Sequence, residues 1–278
     1  MVHNGGDMNL QIATLTIPPF WQEEAVLLAK SLRQLGEDFA NIPVNAYSLE
    51  DRPVSDDLIQ ELSKLEVETH HFKMDEETQQ FPLAIVPFGA AAAESHLTGQ
   101  CDVLIWLLPD TLVLNSPDAF ALAPEISLGI RPVHHRNIGS DYNQPPDEFW
   151  HAIYKHLEVP TDRFFPMQTC YRETIRPYYN AGFLVTRPEN RLFQEWLQAF
   201  LALYKHSDFA GYYQDLKYAI FMHQAVLSGV ILNRFPSSQI TELPESYNYP
   251  LHMHADYPQG GKVSQLSELV TARYENTK

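Results

Sequence analysis

The chain has 278 residues, enough for one large α/β domain or two small ones. With 45% apolar residues the composition is not that of a disordered chain, and the formal net charge is −16. That charge argues against nucleic acid or an anionic membrane surface as partner, since both need a basic face. No apolar run approaches the ~20 residues that span a bilayer. Cys101 and Cys170, the two cysteines, form no CxxC metal pair, so the expectation is a reduced, cytoplasmic protein.

Residues 1–8 are expected to be a short disordered lead-in without the basic and apolar regions of a signal peptide, with Met8 an alternative start. Residues 11–17 (QIATLTI) are apolar and β-branched and predict a buried first strand, which Pro18 and Pro19 end. Residues 22–35 carry Ala25, Leu28, Ala29, Leu32 and Leu35 at helical spacing, with Gly36 closing the helix. A strand is predicted at 44–49, a helix at 56–65 with Ser55 as N-cap, and a short strand at 67–71. The alanine run Ala90 to Ala93 predicts a helix over 84–99. Residues 101–108 (CDVLIWLL) lack alternation, which predicts a central parallel strand covered on both faces. Cys101 at its start is expected to be a buried thiol.

Further along, 126–133 predicts a strand, 141–146 a loop, 147–157 a helix, 180–186 a strand and 191–206 a long amphipathic helix. Residues 216–228 predict a helix followed by a strand at 230–235; 241–261 is Pro-, Tyr- and His-rich and irregular; 264–275 predicts a terminal helix. Strands alternating with helices predict an α/β three-layer sandwich around a mostly parallel sheet. No Gly- or Ser-rich linker divides the chain, so residues 1–278 are expected to form one domain. Ligands of such sheets lie beyond the strand C-termini, here the loops 16–20, 109–117, 133–142 and the stretch near 252. Residues 131–191 hold seven Arg and one Lys against seven acids, leaving −17 on the rest of the chain, so this island is a candidate anion site.

The P-loop, GxGxxG, GxSxG and HExxH patterns are absent, so function must be sought in subtler blocks. In 101–117 (CDVLIWLLPDTLVLNSP) a buried strand runs into Asp110, an acid able to hold a divalent cation on a diphosphate. In 177–188 (PYYNAGFLVTRP) small Ala181 and Gly182 admit a ligand to the backbone, and Asn180 offers both donor and acceptor. A third block is His223-Gln224-Ala225-Val226-Leu227. The fourth, 243–262, contains Tyr247-Asn248, then His252, His254 and Gly260-Gly261-Lys262; in extended chain the two histidines share a face.

In this order, over about residues 10–255, the blocks resemble GT-A-fold nucleotide-diphospho-sugar transferases of the glycogenin and galactosyltransferase kind. The resemblance implies a sugar moved from a nucleotide-diphosphate donor, a UDP-sugar above all, to the hydroxyl of an unspecified acceptor. It implies Mn²⁺ or Mg²⁺ held by an Asp-x-Asp pair and a histidine, here Asp110 with His252 or His254. The pair is degenerate in this chain, which reads Leu108-Pro109-Asp110. The same resemblance implies Thr14 and Thr16 near the base and ribose, and Lys262 on the diphosphate. Asn180, Ala181 and Gly182 then line the sugar pocket, and His223 and Gln224 occupy the catalytic position where relatives carry Asp-Gln-Asp. Arg131 or Arg136 supplies a phosphate-facing charge. Two other readings stay open: a non-catalytic binding protein that has lost its metal site, and a metal-independent transferase in which Arg131, Arg136 or Lys262 replaces the cation.

Overall fold

The computed structural model describes residues 8–275, so most of the expected lead-in lies outside them. Twelve strands are described: β1 Leu10–Leu15, β2 Val44–Leu49, β3 Val67–Phe72, β4 Val103–Leu107, β5 Thr111–Val113, β6 Leu128–Pro132, β7 Met167–Gln168, β8 Thr174–Ile175, β9 Tyr179–Thr186, β10 Ile240–Glu242, β11 Tyr249–Pro250 and β12 Thr271–Arg273. Seven make the central sheet, in the order β10-β6-β9-β4-β1-β2-β3. The pairings β1–β2, β2–β3, β1–β4 and β10–β6 are parallel, while β9 runs antiparallel to both β4 and β6. The expected three-layer α/β sandwich with a mostly parallel sheet is therefore the architecture observed.

Alternation along each strand splits the core into two layers. Leu104 and Trp106 of β4 join Ala13 and Leu15 of β1 in a cluster under the helices Ile85–Leu97, Glu148–His156, Leu192–Leu203 and Leu216–Arg234. Val103, Ile105 and Leu107 face the other way, toward the helix Gln22–Arg33 and Leu62 of the helix Asp56–Lys64. Both faces of β4 are covered, which is why its sequence shows no polar alternation. Ser55 caps Asp56–Lys64 by accepting from Leu58 N at 3.3 Å, and Asp147 caps Glu148–His156 by accepting from Trp150 N at 2.9 Å. Cys101 is a buried free thiol.

Two expected elements are replaced. No strand forms at 230–235; Leu216–Arg234 is one helix, and Phe235 N still donates to Ile231 O at 2.9 Å. The β-branched Val230 and Ile231 suggested a strand, but this helix is buried nearly all round, so tertiary packing overrides local propensity. Gly229 lies against Leu157 and Ile153, where a Cβ would collide. The expected terminal helix at 264–275 is instead one 3₁₀ turn, Leu266–Glu268, followed by β12. A Gln265–Glu268 capping box closes that turn. β12 then completes a small sheet, antiparallel to β5 and parallel to β11.

A buried carboxylate ties two helices together. Glu94 accepts from Phe193 N at 3.0 Å and Gln194 N at 2.8 Å, at the start of Leu192–Leu203. Glu94→Ala should destabilise the protein by about 1–3 kcal/mol per orphaned N–H, read by urea unfolding; a change within experimental error would show that the carboxylate is not what holds these donors.

Candidate functional site

Past the C-terminal end of β4 lies a cavity of about 160 Å³. Leu108 reaches it from the end of β4, and Val133, His134 and His135 reach it from the end of β6. Asn180 and Gly182 of β9 form its floor, with His223 and Gln224 of the helix Leu216–Arg234 beside them. His252, Arg273 and Glu275 complete the wall.

The polar groups of the floor are held by their neighbours. Leu108 N donates to Gly182 O at 2.9 Å, continuing the β4–β9 ladder. Toward the start of β9 that ladder has ended, and helix side chains take over. Gln224 Oε1 accepts from Ala181 N at 3.0 Å and Ser228 Oγ accepts from Tyr179 N at 3.1 Å. Asn180 Oδ1 accepts from Gly182 N at 3.0 Å. With both carbonyl oxygens so engaged, the amide NH₂ groups of Asn180 and Gln224 are the parts able to meet a ligand. Ala181 is consumed by structure: its carbonyl accepts from Trp106 Nε1 at 3.2 Å, and it does not line the cavity.

His223 is buried, and burial lowers its pKa to about 4. Its Nδ1–H donates to Ile220 O at 2.9 Å, so the neutral ring keeps a lone pair on Nε2. His134 is likewise neutral, its pKa held well below the usual value first by burial and then by the charge of Arg273. Its Nε2–H donates to Asn248 O at 3.0 Å.

Asp110 is buried and paired with Arg273, whose Nη2 donates to Oδ2 at 2.7 Å. The second carboxylate oxygen of Asp110 and the Nε of Arg273 have no protein partner. Glu275 Oε1 stands 3.7 Å from Arg273 Nη2, and Glu275 Oε2 stands 3.7 Å from His252 Nε2. The ligand atoms of His134, His252 and Glu275 all lie within 4.8 Å of one another.

The remaining residues singled out in the sequence sit elsewhere. Arg131 is buried against Glu242 at 2.9 Å and Leu243 O at 2.7 Å. Arg136 is exposed and pairs with Asp141 at 3.4 Å and Glu173 at 3.8 Å. Lys262 donates to Ala255 O at 3.0 Å, and His254 Nδ1 is engaged by Tyr249 OH at 2.9 Å. Thr14 and Thr16 are buried, with hydroxyls that have no partner. None of these six lines the cavity. Asp110 touches it only through Arg273, a residue that sequence reasoning missed because its segment read as helix. The β-branched and apolar run Leu269-Val270-Thr271-Ala272 was the signal that could have revealed a strand there.

A second cavity of about 370 Å³, largely apolar, lies at the ends of β1, β2 and β3. Ile17, Phe20 and Trp21 line it together with Leu49, Arg52 and Met74. Leu83 lines both cavities, so they are neighbours. Sequence reasoning had pointed to the loop 16–20 but not to Trp21 or Leu83.

The residues present do not fit the cation site that the resemblance implies. Leu108 brings no ligand atom, Asp110 is already paired with a fixed cation, His254 is tied to a tyrosine, and His252 groups with His134 and Glu275 instead. Among the described residues, no helix is long and apolar enough to cross a membrane.

Comparison with solved structures places the fold. The chain is similar to the galactosyltransferase LgtC in complex with donor and acceptor sugar analogues, at 14% identity over 96% of this chain and 87% of that one, TM-score 0.52. It is similar to mouse xyloside xylosyltransferase 1 at 12% identity over 96% and 98%, TM-score 0.51. It is also similar to the glycosyltransferase GlyE of Streptococcus pneumoniae TIGR4 at 12% identity over 98% of this chain and 55% of that one, TM-score 0.57. These are GT-A folds, and at such identities they speak for the fold. No curated protein matches the chain in sequence. The model of the Rhodobacterales glycosyltransferase domain matches residues 15–233, and the chain belongs to that glycosyltransferase family.

Proposed function

We propose that the chain, acting as one domain over residues 1–278, binds a nucleotide-diphospho-sugar, a UDP-sugar first of all, across the two neighbouring cavities and transfers its sugar to an acceptor hydroxyl. The observation that carries this reading is convergence: β9, the helix Leu216–Arg234 and β12 bring Asn180, Gly182, His223, Gln224 and Arg273 around one cavity. The apolar cavity at β1 to β3 suits a base and ribose, with the Phe20 and Trp21 rings available for stacking and Arg52 at its edge. The smaller cavity suits the sugar. There the amide groups of Asn180 and Gln224 donate to hydroxyls, and the Nε2 of His223 accepts from one. The diphosphate spans the step between the two cavities and departs with the bond pair when the acceptor oxygen takes its place at the anomeric carbon, the acceptor's hydroxyl proton passing to the departing diphosphate oxygen. Stabilising that departing charge is the main catalytic demand on the site. No step is assigned to Mn²⁺ or Mg²⁺, because the site residues do not fit the implied metal shell. The compartment remains the cytoplasm, a reading supported by two buried free thiols.

Isothermal titration with UDP-glucose, UDP-galactose and GDP-mannose is expected to give saturable binding with at least one donor. Asn180→Ala and Gln224→Ala should each weaken it about tenfold, or ~1.4 kcal/mol. Flat titrations with every donor would remove the transferase reading; tight binding with no sugar transferred or hydrolysed would favour the non-catalytic alternative.

The acceptor role of His223 requires a neutral ring, and its titration carries a stability signature. The folded pKa, about 4, lies below the unfolded value of 6.5. The unfolded chain therefore binds the extra proton first, and stability is full above pH 6.5 and lost as pH falls toward 4. This one group should contribute on the order of 3 kcal/mol to that loss. His223→Gln is expected to flatten the slope of unfolding free energy against pH between 6.5 and 4; an unchanged slope would mean that the ring is not held neutral in the folded state.

A further inference from the structure

We infer that Arg273 is the cation that meets the donor's diphosphate, standing in for the divalent metal that the resemblance implies; this rests on the donor reading above. The strand ladder fixes where Arg273 stands. In the antiparallel pairing of β12 with β5, Arg273 lies opposite Thr111, and Tyr274 N donates to Asp110 O at 3.1 Å. The guanidinium is thereby delivered to the one acid left of the Asp-x-Asp pair, and Nη2 donates to Asp110 Oδ2 at 2.7 Å.

The surrounding residues make room for a guanidinium rather than for a hydrated ion. A Cβ on Gly182 would overlap both Arg273 Nη1 and Leu108 Cδ1, so the group crosses the bare α-carbon of residue 182 with the Leu108 side chain alongside. Leu108, where a second carboxylate would bind a metal, supplies an apolar wall instead. Asp110 positions the guanidinium through one nitrogen. Its Nε has no protein partner, and the side chain lines the cavity. A guanidinium presents donors in a planar fork that matches phosphate oxygens, so an oriented arginine can neutralise a diphosphate without a bound ion.

The rival is a metal ion held by His134, His252 and Glu275, whose ligand atoms lie within 4.8 Å of one another. That triad is adjacent to the same guanidinium: Glu275 Oε1 is 3.7 Å from Arg273 Nη2. The fixed positive charge opposes a divalent ion there. Of the described residues lining the cavity, Arg273 is the only arginine or lysine.

The test is calorimetry of UDP and of GDP with the wild-type chain, in EDTA and then in Mn²⁺. Binding in EDTA is expected to lie within about threefold of binding in Mn²⁺, and Arg273→Gln is expected to weaken it about tenfold or more, with Arg273→Lys recovering part. Binding that appears only with Mn²⁺, or tightens about tenfold with it, overturns the proposal and leaves the donor reading standing. So does a stoichiometric Mn²⁺ signal in electron paramagnetic resonance that His252→Ala abolishes. Absence of nucleotide binding in both buffers overturns the proposal and the donor reading together. If Arg273→Gln does not fold, because Asp110 is left buried without its partner, the wild-type comparison still decides.

Discussion

One strand holds this molecule's layers and its chemistry in register. β9 runs against both of its neighbours, joining β4 to β6 and so the β1-to-β3 half of the sheet to the β10 edge. All eight of its residues are buried. Where its pairing with β4 stops, beyond Gly182, its backbone N–H groups still need partners, because a buried unpaired donor is costly. The helix Leu216–Arg234 supplies them through Gln224 and Ser228. The cavity opens where the sheet's own hydrogen bonding runs out, and Gln224, one of the two side chains that repair the ladder, also lines it. The shape of the cavity and the stability of the strand are coupled there, since Gln224 serves both.

The chemistry around that opening is restrained. Two of its histidines, His134 and His223, are neutral through burial, and each spends one ring nitrogen on a backbone carbonyl. The charged groups are Arg273 with Asp110 and Glu275, both of which approach its Nη2. A buried ion pair contributes little net stability once desolvation is counted, but breaking it exposes an uncompensated charge. The pair's contribution here is positional. It holds a flexible side chain across Gly182, and an arginine fixed in advance loses less entropy on meeting a ligand than one recruited from solvent.

Most of the architecture was legible because its strands obey simple rules. The apolar run 101–108 announced a strand covered on both faces, and the helix Gln22–Arg33 announced itself through the core positions Ala25, Leu28, Ala29 and Leu32. The two misread elements share a physical cause. Val230 and Ile231 are β-branched yet sit in a helix buried on nearly every side, where periodicity carries no signal. Thr271 to Arg273 form a strand only because β5, about 160 residues earlier, offers an edge to pair with. The floor of the site was legible: Asn180, Gly182, His223 and Gln224 meet as their motifs suggested. Its cation was not, since no local pattern states that Arg273 will lie opposite Thr111. Phe20 belonged to a loop marked by topology, but Trp21 and Leu83 carried no chemical signature that sequence alone could rank.

Charge counting shows the same division between chain and space. The chain is strongly acidic, and its arginines concentrate in 131–191, which made that island the natural place to seek an anion. Folded, the island is occupied with its own partners. Arg131 neutralises Glu242, Arg136 meets Glu173 and Asp141, and Arg172 forks onto Glu245. Arg187 donates to the carbonyls of Leu122, Ala123 and Ile126. These guanidinium groups staple loops, and none reaches the cavity. A polyanion entering an acidic protein needs one positive charge in the right place more than many nearby, because solvent screens exposed charges within about 8–10 Å while a buried one keeps its field. Arg273, outside the island and nine-tenths buried beside Asp110, is the charge that meets that requirement.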